Sequence, residues 1–187
     1  MLLYPVRTLN EGTGVEQSER AAERERDRDA PERGFYESVF AGLAERRRRA
    51  REGRIVIKAS EAQWEQNRQG KIGYYLHENI ADSALQDWRI FAHEIHTHSG
   101  KHVHQGGLVL YVTKGSGYTV VNGRREDWSE GDLILLPVLP GGCEHQHFNE
   151  DPDQASEWFA FIFVPVQNAT GALFEQRENS PNWKDGK

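Results

Sequence analysis

Seven short strand-like stretches, most of them patterned with period two, constrain this chain more than any other feature. They run over residues 55–59, 72–76, 88–96, 108–113, 118–121, 132–136 and 158–166, and are rich in β-branched and aromatic side chains. Alternation with period two sends successive side chains to opposite faces of a strand, so each stretch can bury one face and wet the other. Turn-forming groups separate most of them: Gly115-Ser-Gly117, Asn122-Gly123, Gly131-Asp132, Pro140-Gly141-Gly142 and Glu150-Asp-Pro152. Many short strands at this spacing make an all-β sandwich or barrel. Asn122-Gly123 is the strongest hairpin signal, since a two-residue turn there needs positive φ at both positions.

The flanks read differently. Residues 16–34 hold twelve charges in nineteen positions, seven acidic and five basic. Such a stretch cannot bury enough apolar surface to offset its ordering entropy, so it reads as disordered or as a solvated helix. Over residues 31–52 the pattern becomes helical, with Pro31 suited to a first turn and Phe35, Tyr36, Val39, Phe40 and Leu43 on one stripe. The Arg46–Arg49 run, with Arg51, ends this helix, where cations complement the helix dipole, and Gly53 is a stop signal. The expected organisation is a charged extension at 1–53, a barrel at 54–166 and a polar, poorly ordered tail at 167–187. The helix stripe needs a partner, because an isolated helix of this length is marginal in water. A homodimer is expected.

Charge and composition exclude several classes. With 23 Lys+Arg against 29 Asp+Glu, the net charge of −6 argues against general nucleic-acid binding. The longest apolar run, residues 158–166, is about half a membrane span and contains Pro165. Met1-Leu-Leu-Tyr-Pro-Val6 has no basic leader, and the lone Cys143 permits no internal disulfide. A soluble, cytoplasmic protein without nucleic-acid or membrane partners is expected.

Seven of the eight histidines fall between His93 and His147. His102 and His104 are two apart, so on a strand both imidazoles point to one face and can reach adjacent corners of one metal's coordination sphere. A second such pair, His145-Gln-His147, follows just beyond a glycine turn. One such pair arises by chance on a surface strand; two, in a chain with one cysteine, point to metal binding rather than to merely hydrogen-bonded histidines.

The residues around these pairs resemble the cupin superfamily. His102-Val-His-Gln-Gly-Gly-Leu-Val-Leu-Tyr-Val-Thr-Lys-Gly115 is similar to the first cupin motif, and Gly131, Pro140-Gly-Gly142, His145 and Asn149 to the second, with an insertion after Pro137. The resemblance covers residues 86–166 and implies a double-stranded β-helix, the jelly-roll barrel, with a helical N-terminal extension and one metal near the barrel mouth. The motif's usual Glu falls at Leu108, which cannot bind a metal. The chain thus resembles the three-histidine subset, with His102, His104 and His145 as ligands, as in gentisate-, salicylate- and diketone-cleaving dioxygenases. Those of gentisate type also place a histidine where His147 stands, but they are two-cupin chains.

Three neutral imidazoles leave a divalent ion its full charge and, at six-coordination, three open positions, enough for a bidentate anion and O₂. The implied cofactor is Fe(II), with Mn, Ni, Cu or Zn as alternatives. The implied partners are a small-molecule substrate and O₂. Gln105 is a candidate for binding substrate or a ligating water, or for stabilising the turn. His147 and one of His96 and His98 are candidates for acid–base or substrate contacts. Arg89, Lys71 and Arg68 are candidate anchors for a carboxylate, while Trp88, Tyr111 and Phe161 line either an aromatic pocket or the core. Two other readings stay open: a cupin lyase, decarboxylase or isomerase using the ion as a Lewis acid, and a non-catalytic binding or regulatory cupin.

Overall fold

The computed structural model describes residues 34–80, 82–171 and 173–184. The charged stretch at 16–34 lies outside these, apart from Gly34. The chain divides into two compact units between Arg48 and Arg49. In the first, the described residues after Gly34 are helical and belong to α1 (Phe35–Glu52), where Tyr36 and Phe40 meet edge to face at 5.1 Å and Glu45 pairs with Arg48. The last turn of α1 belongs with the second unit. There the Arg49 side chain reaches the Ile80 carbonyl.

The second unit holds eleven strands in two antiparallel sheets. They are β1 (Gln63–Asn67), β2 (Gly70–Leu76), β3 (Trp88–Ile95), β4 (Lys101–His104), β5 (Leu108–Lys114), β6 (Ser116–Val121), β7 (Arg124–Ser129), β8 (Leu133–Leu136), β9 (Cys143–Asn149), β10 (Ser156–Phe163) and β11 (Phe174–Glu178). One sheet runs β1-β2-β3-β10-β5-β8, the other β11-β4-β9-β6-β7. The pairs β6·β7, β5·β8, β4·β9 and β3·β10 are nested about one turn, Asn122-Gly123. Asn122 and Gly123 take φ 47° and 82°, as that hairpin requires. The chain is therefore one long hairpin wound alternately onto two sheets, a jelly roll.

Alternation decides what each strand buries. Leu108, Leu110 and Val112 of β5, Trp158, Ala160 and Ile162 of β10, and Ile134 and Leu136 of β8 face inward and meet Trp128 and Cys143 of the other sheet. Each such large aliphatic side chain contributes about 1.5–3 kcal/mol by leaving water.

Three elements depart from the sequence reading. Residues 55–59 form no strand. Ile55 and Val56 are exposed, and this part of the chain is tied to a loop instead, through Arg54 N–H to the Asp82 carbonyl (2.8 Å) and Ala84 N–H to the Arg54 carbonyl (2.9 Å). An alternating segment becomes a strand only where a sheet edge receives it. After Phe163 the chain turns into a short helix, α2 (Val164–Ala169), with Pro165 in its first turn. The segment expected to be a poorly ordered tail contains β11, which pairs with β4 in the register Phe174↔His104 and Gln176↔His102. Among the described residues no helix is long and apolar enough to cross a membrane.

Candidate metal centre

The nested hairpin brings the two histidine pairs together. β4 and β9 are neighbours in the register His102↔His145 and His104↔Cys143, so inward parity puts His102, His104, His145 and His147 on one face. Candidate ligand nitrogens of His102, His104 and His145 lie within 4.8 Å of one another, and no other group of this kind occurs among the described residues. Their ring centroids are 4.2 Å (His102–His145), 4.7 Å (His104–His145) and 5.2 Å (His102–His104) apart.

The contacts behind the rings decide how well this set suits an ion. His145 Nδ1–H donates to the Cys143 carbonyl at 3.0 Å, which leaves the Nε2 lone pair free. His102 Nδ1 is buried without a hydrogen-bond partner. His104 is held otherwise: the Gly106 amide donates to its Nδ1 at 2.8 Å. An imidazole accepting there carries its proton on Nε2, so ligation requires His104 to turn its ring or release that proton. Nitrogens about 2.1 Å from one ion lie no more than about 4.2 Å apart, so binding also draws the rings together. With that adjustment the donors suit a divalent ion. Gly106 is itself demanded by the turn, with φ +83° and room for no side chain, since a Cβ would stand 1.9 Å from the Pro137 carbonyl oxygen.

The cluster is uncharged at neutral pH. Burial, reinforced by neighbouring histidines, pushes His102 down to about 3; burial alone takes His104 to about 4 and, with His102 and His104 adding to it, holds His145 well below the usual range. Neutral imidazole is the form that binds a metal.

The cluster lines a cavity of about 570 Å³. Leu108, 7% exposed, stands in its wall, as do Leu110, Ile162, Phe91, Tyr74 and Trp158. Among the described residues no Asp or Glu lines it, and its two charged lining residues are Arg68 and Arg89. Arg89 is paired with Glu78, whereas Arg68 has no ion-pair partner among the described residues.

The remaining candidates fall in several places. His147, 2% exposed, lines the cavity. His96 is at the surface beside Glu94 (2.9 Å), and His98 lies against Phe148, so neither lines the cavity. Gln105 is buried and donates to the Gln167 carbonyl. Lys71 is paired with Glu94. Trp88, Tyr111 and Phe161 are outside the lining; Trp88 packs on Phe163 at 5.3 Å. Sequence reasoning missed His93 and the C-terminal wall of Phe174, Gln176 and Trp183. The Phe174 ring lies 5.4 Å from that of His102 and parallel to that of His104 at 6.5 Å. Phe174-Glu-Gln-Arg-Glu178 has one apolar residue, too weak an alternation to announce a strand.

This jelly roll, with a three-histidine cluster on its inner face, has the architecture of a cupin barrel. Residues 87–170 match the family described as AraC-like ligand binding domain. A curated relative, 5-aminosalicylate 1,2-dioxygenase from Comamonas sp, is 36% identical over 73 residues, which make up 39% of this chain and 18% of the relative. Among solved structures, the Streptomyces protein Pac13 with uridine aligns at 11% identity and TM-score 0.49 over 68% of this chain and 94% of its own. Salicylate 1,2-dioxygenase from Pseudoaminobacter salicylatoxidans aligns at 18% and 0.43 over 56% and 28%.

Proposed function

We propose that the chain is a mononuclear non-heme iron dioxygenase, with His102, His104 and His145 as ligands, cleaving a small oxygenated anion, aromatic or diketone. The donor set carries this reading: three imidazoles kept neutral by burial, and Leu108 in the wall where related cupins place Glu. Ligands without charge leave a divalent ion able to attract an anionic chelator. Bound iron would supply the redox chemistry toward O₂. The protein's own part is to hold the substrate and exclude water. Arg68 draws a carboxylate toward a cavity whose charged lining residues, among those described, are both cations, and Leu110, Ile162 and Trp158 keep part of its wall apolar. Arg89 contributes less, because Glu78 already neutralises it. The name of the Comamonas relative supports oxygen chemistry on an aromatic acid.

The reading includes a homodimer. An exposed apolar row on the outer face of the larger sheet, Val109 beside Leu135 and Tyr111 beside Leu133, supports it. Light scattering at monomer mass would count against that part.

The functional test is anaerobic reconstitution with Fe(II), then oxygen-electrode traces with gentisate-like, catechol-like and diketone compounds. Oxygen uptake coupled to substrate loss is expected. Turnover that proceeds equally without oxygen, or with Zn(II), would overturn the dioxygenase and favour a Lewis-acid lyase.

A further inference from the structure

His147 shares the inward face of β9 with His145 but stands outside the three-histidine group. Its surroundings define its chemistry closely. The ring packs against Trp158 at 4.8 Å, and its Nδ1 lies 2.8 Å from Oγ1 of Thr119, its register partner on β6. The same Oγ1 receives the Trp128 indole N–H at 2.9 Å. Trp128 reaches it across Gly117, where a Cβ would stand 2.6 Å from the indole and 2.0 Å from the Phe148 carbonyl oxygen.

Proton counting along this chain of contacts leaves one arrangement. An indole N–H only donates, so Thr119 Oγ1 accepts from Trp128. Thr119 is 0% exposed, and among the described residues its hydroxyl has no third partner. Its one proton therefore has one acceptor within reach, His147 Nδ1. In the other tautomer Oγ1 would accept from both the indole and the imidazole N–H, and its own buried proton would be left without an acceptor, which is costly. A neutral imidazole accepting at Nδ1 carries its proton on Nε2. That nitrogen makes no hydrogen bond among the described residues, and His147 lines the cavity.

We infer that Trp128 and Thr119 are positioning residues that hold His147 in the Nε2–H tautomer, an uncharged hydrogen-bond donor presented to the cavity beside the histidine cluster. His147 is then neither a base nor a fourth ligand. It selects a ligand offering an acceptor oxygen at that point, a carboxylate or enolate rather than an amine. Only this use of the donor rests on the proposed function; the tautomer does not.

The test is a long-range ¹H–¹⁵N correlation spectrum of the metal-free, histidine-labelled full chain. Wild type and Thr119→Ser are expected to show His147 in a single Nε2–H tautomer. Thr119→Val removes the donor to Nδ1, and Trp128→Phe frees the hydroxyl to accept from either side, so both variants should show the two tautomers together. A role in packing alone would move the melting temperatures of these variants and leave the tautomer unchanged; that result overturns the inference. So does a wild-type spectrum with Nδ1–H or a mixture, which decides the matter even if a variant fails to fold. Adding Zn(II) separates the two readings. Signals of His102, His104 and His145 should shift while His147 keeps its Nε2–H. Loss of that proton on metal binding overturns the inference, whereas no metal binding with the tautomer intact overturns only the metal centre.

Discussion

Lowering the pH from 8 to 5 should destabilise the metal-free protein, and His93 offers a clean measure of the effect. His93 is 2% exposed, packs against Trp158 at 4.8 Å, and has an Nε2 with no hydrogen-bond partner. Burial lowers it from 6.5 to about 4, with the Gln69 backbone pulling weakly the other way. Between those values the unfolded chain binds a proton that the folded chain refuses, so stability is complete above pH 6.5 and is lost as the pH falls toward 4. At pH 5 the loss at this one residue is about 2 kcal/mol, rising to about 3 kcal/mol below pH 4. That is a large share of an ordinary domain's 5–15 kcal/mol. His102, His104, His145 and His147 are all lowered by burial and act in the same direction. His93→Gln isolates the residue, because glutamine is of similar size and does not titrate. Urea denaturation of both proteins at pH 8 and pH 5 is the assay. Wild type should lose about 2 kcal/mol more than the variant over that interval, whatever the absolute cost of the substitution. Equal losses would refute the reasoning.

Three further outcomes are expected. His104→Ala should reduce bound metal from about one ion per chain to almost none while the β circular dichroism persists, and full occupancy by elemental analysis would refute the ligand set. Gly106→Ala should cost at least about 2 kcal/mol in chemical denaturation, since it combines positive φ with a Cβ 1.9 Å from a carbonyl oxygen; a wild-type midpoint would contradict the turn geometry. Phe174→Ala should change stability by less than about 1 kcal/mol, because the ring is 62% exposed, yet it should let a chelator strip the metal several-fold faster. An unchanged stripping rate would remove Phe174 from the wall.

Much of this molecule was legible locally. Strand alternation, the Asn122-Gly123 turn and the two histidine pairs each depend on neighbours in sequence, and they led to an all-β barrel that binds a metal, while the cupin resemblance selected His102, His104 and His145 as candidate ligands. Leu108 in place of a carboxylate was legible too, and its side chain stands in the cavity wall. The nesting of β4·β9 inside β3·β10 was not, although it alone sets His102 opposite His145 across some forty residues. Alternation tells which residues share a face; it does not tell which face meets a core. Tyr111 and Phe161 share one parity and Leu110 and Ile162 the other, and only packing against the second sheet sends the latter pair inward. The same holds for Ile55 and Val56, patterned like a strand but offered no edge, and for Phe174, weakly patterned but received by β4. The Trp128–Thr119–His147 chain lay furthest from sequence reading, because a hydrogen-bonded proton's position depends on three strands meeting at one buried oxygen.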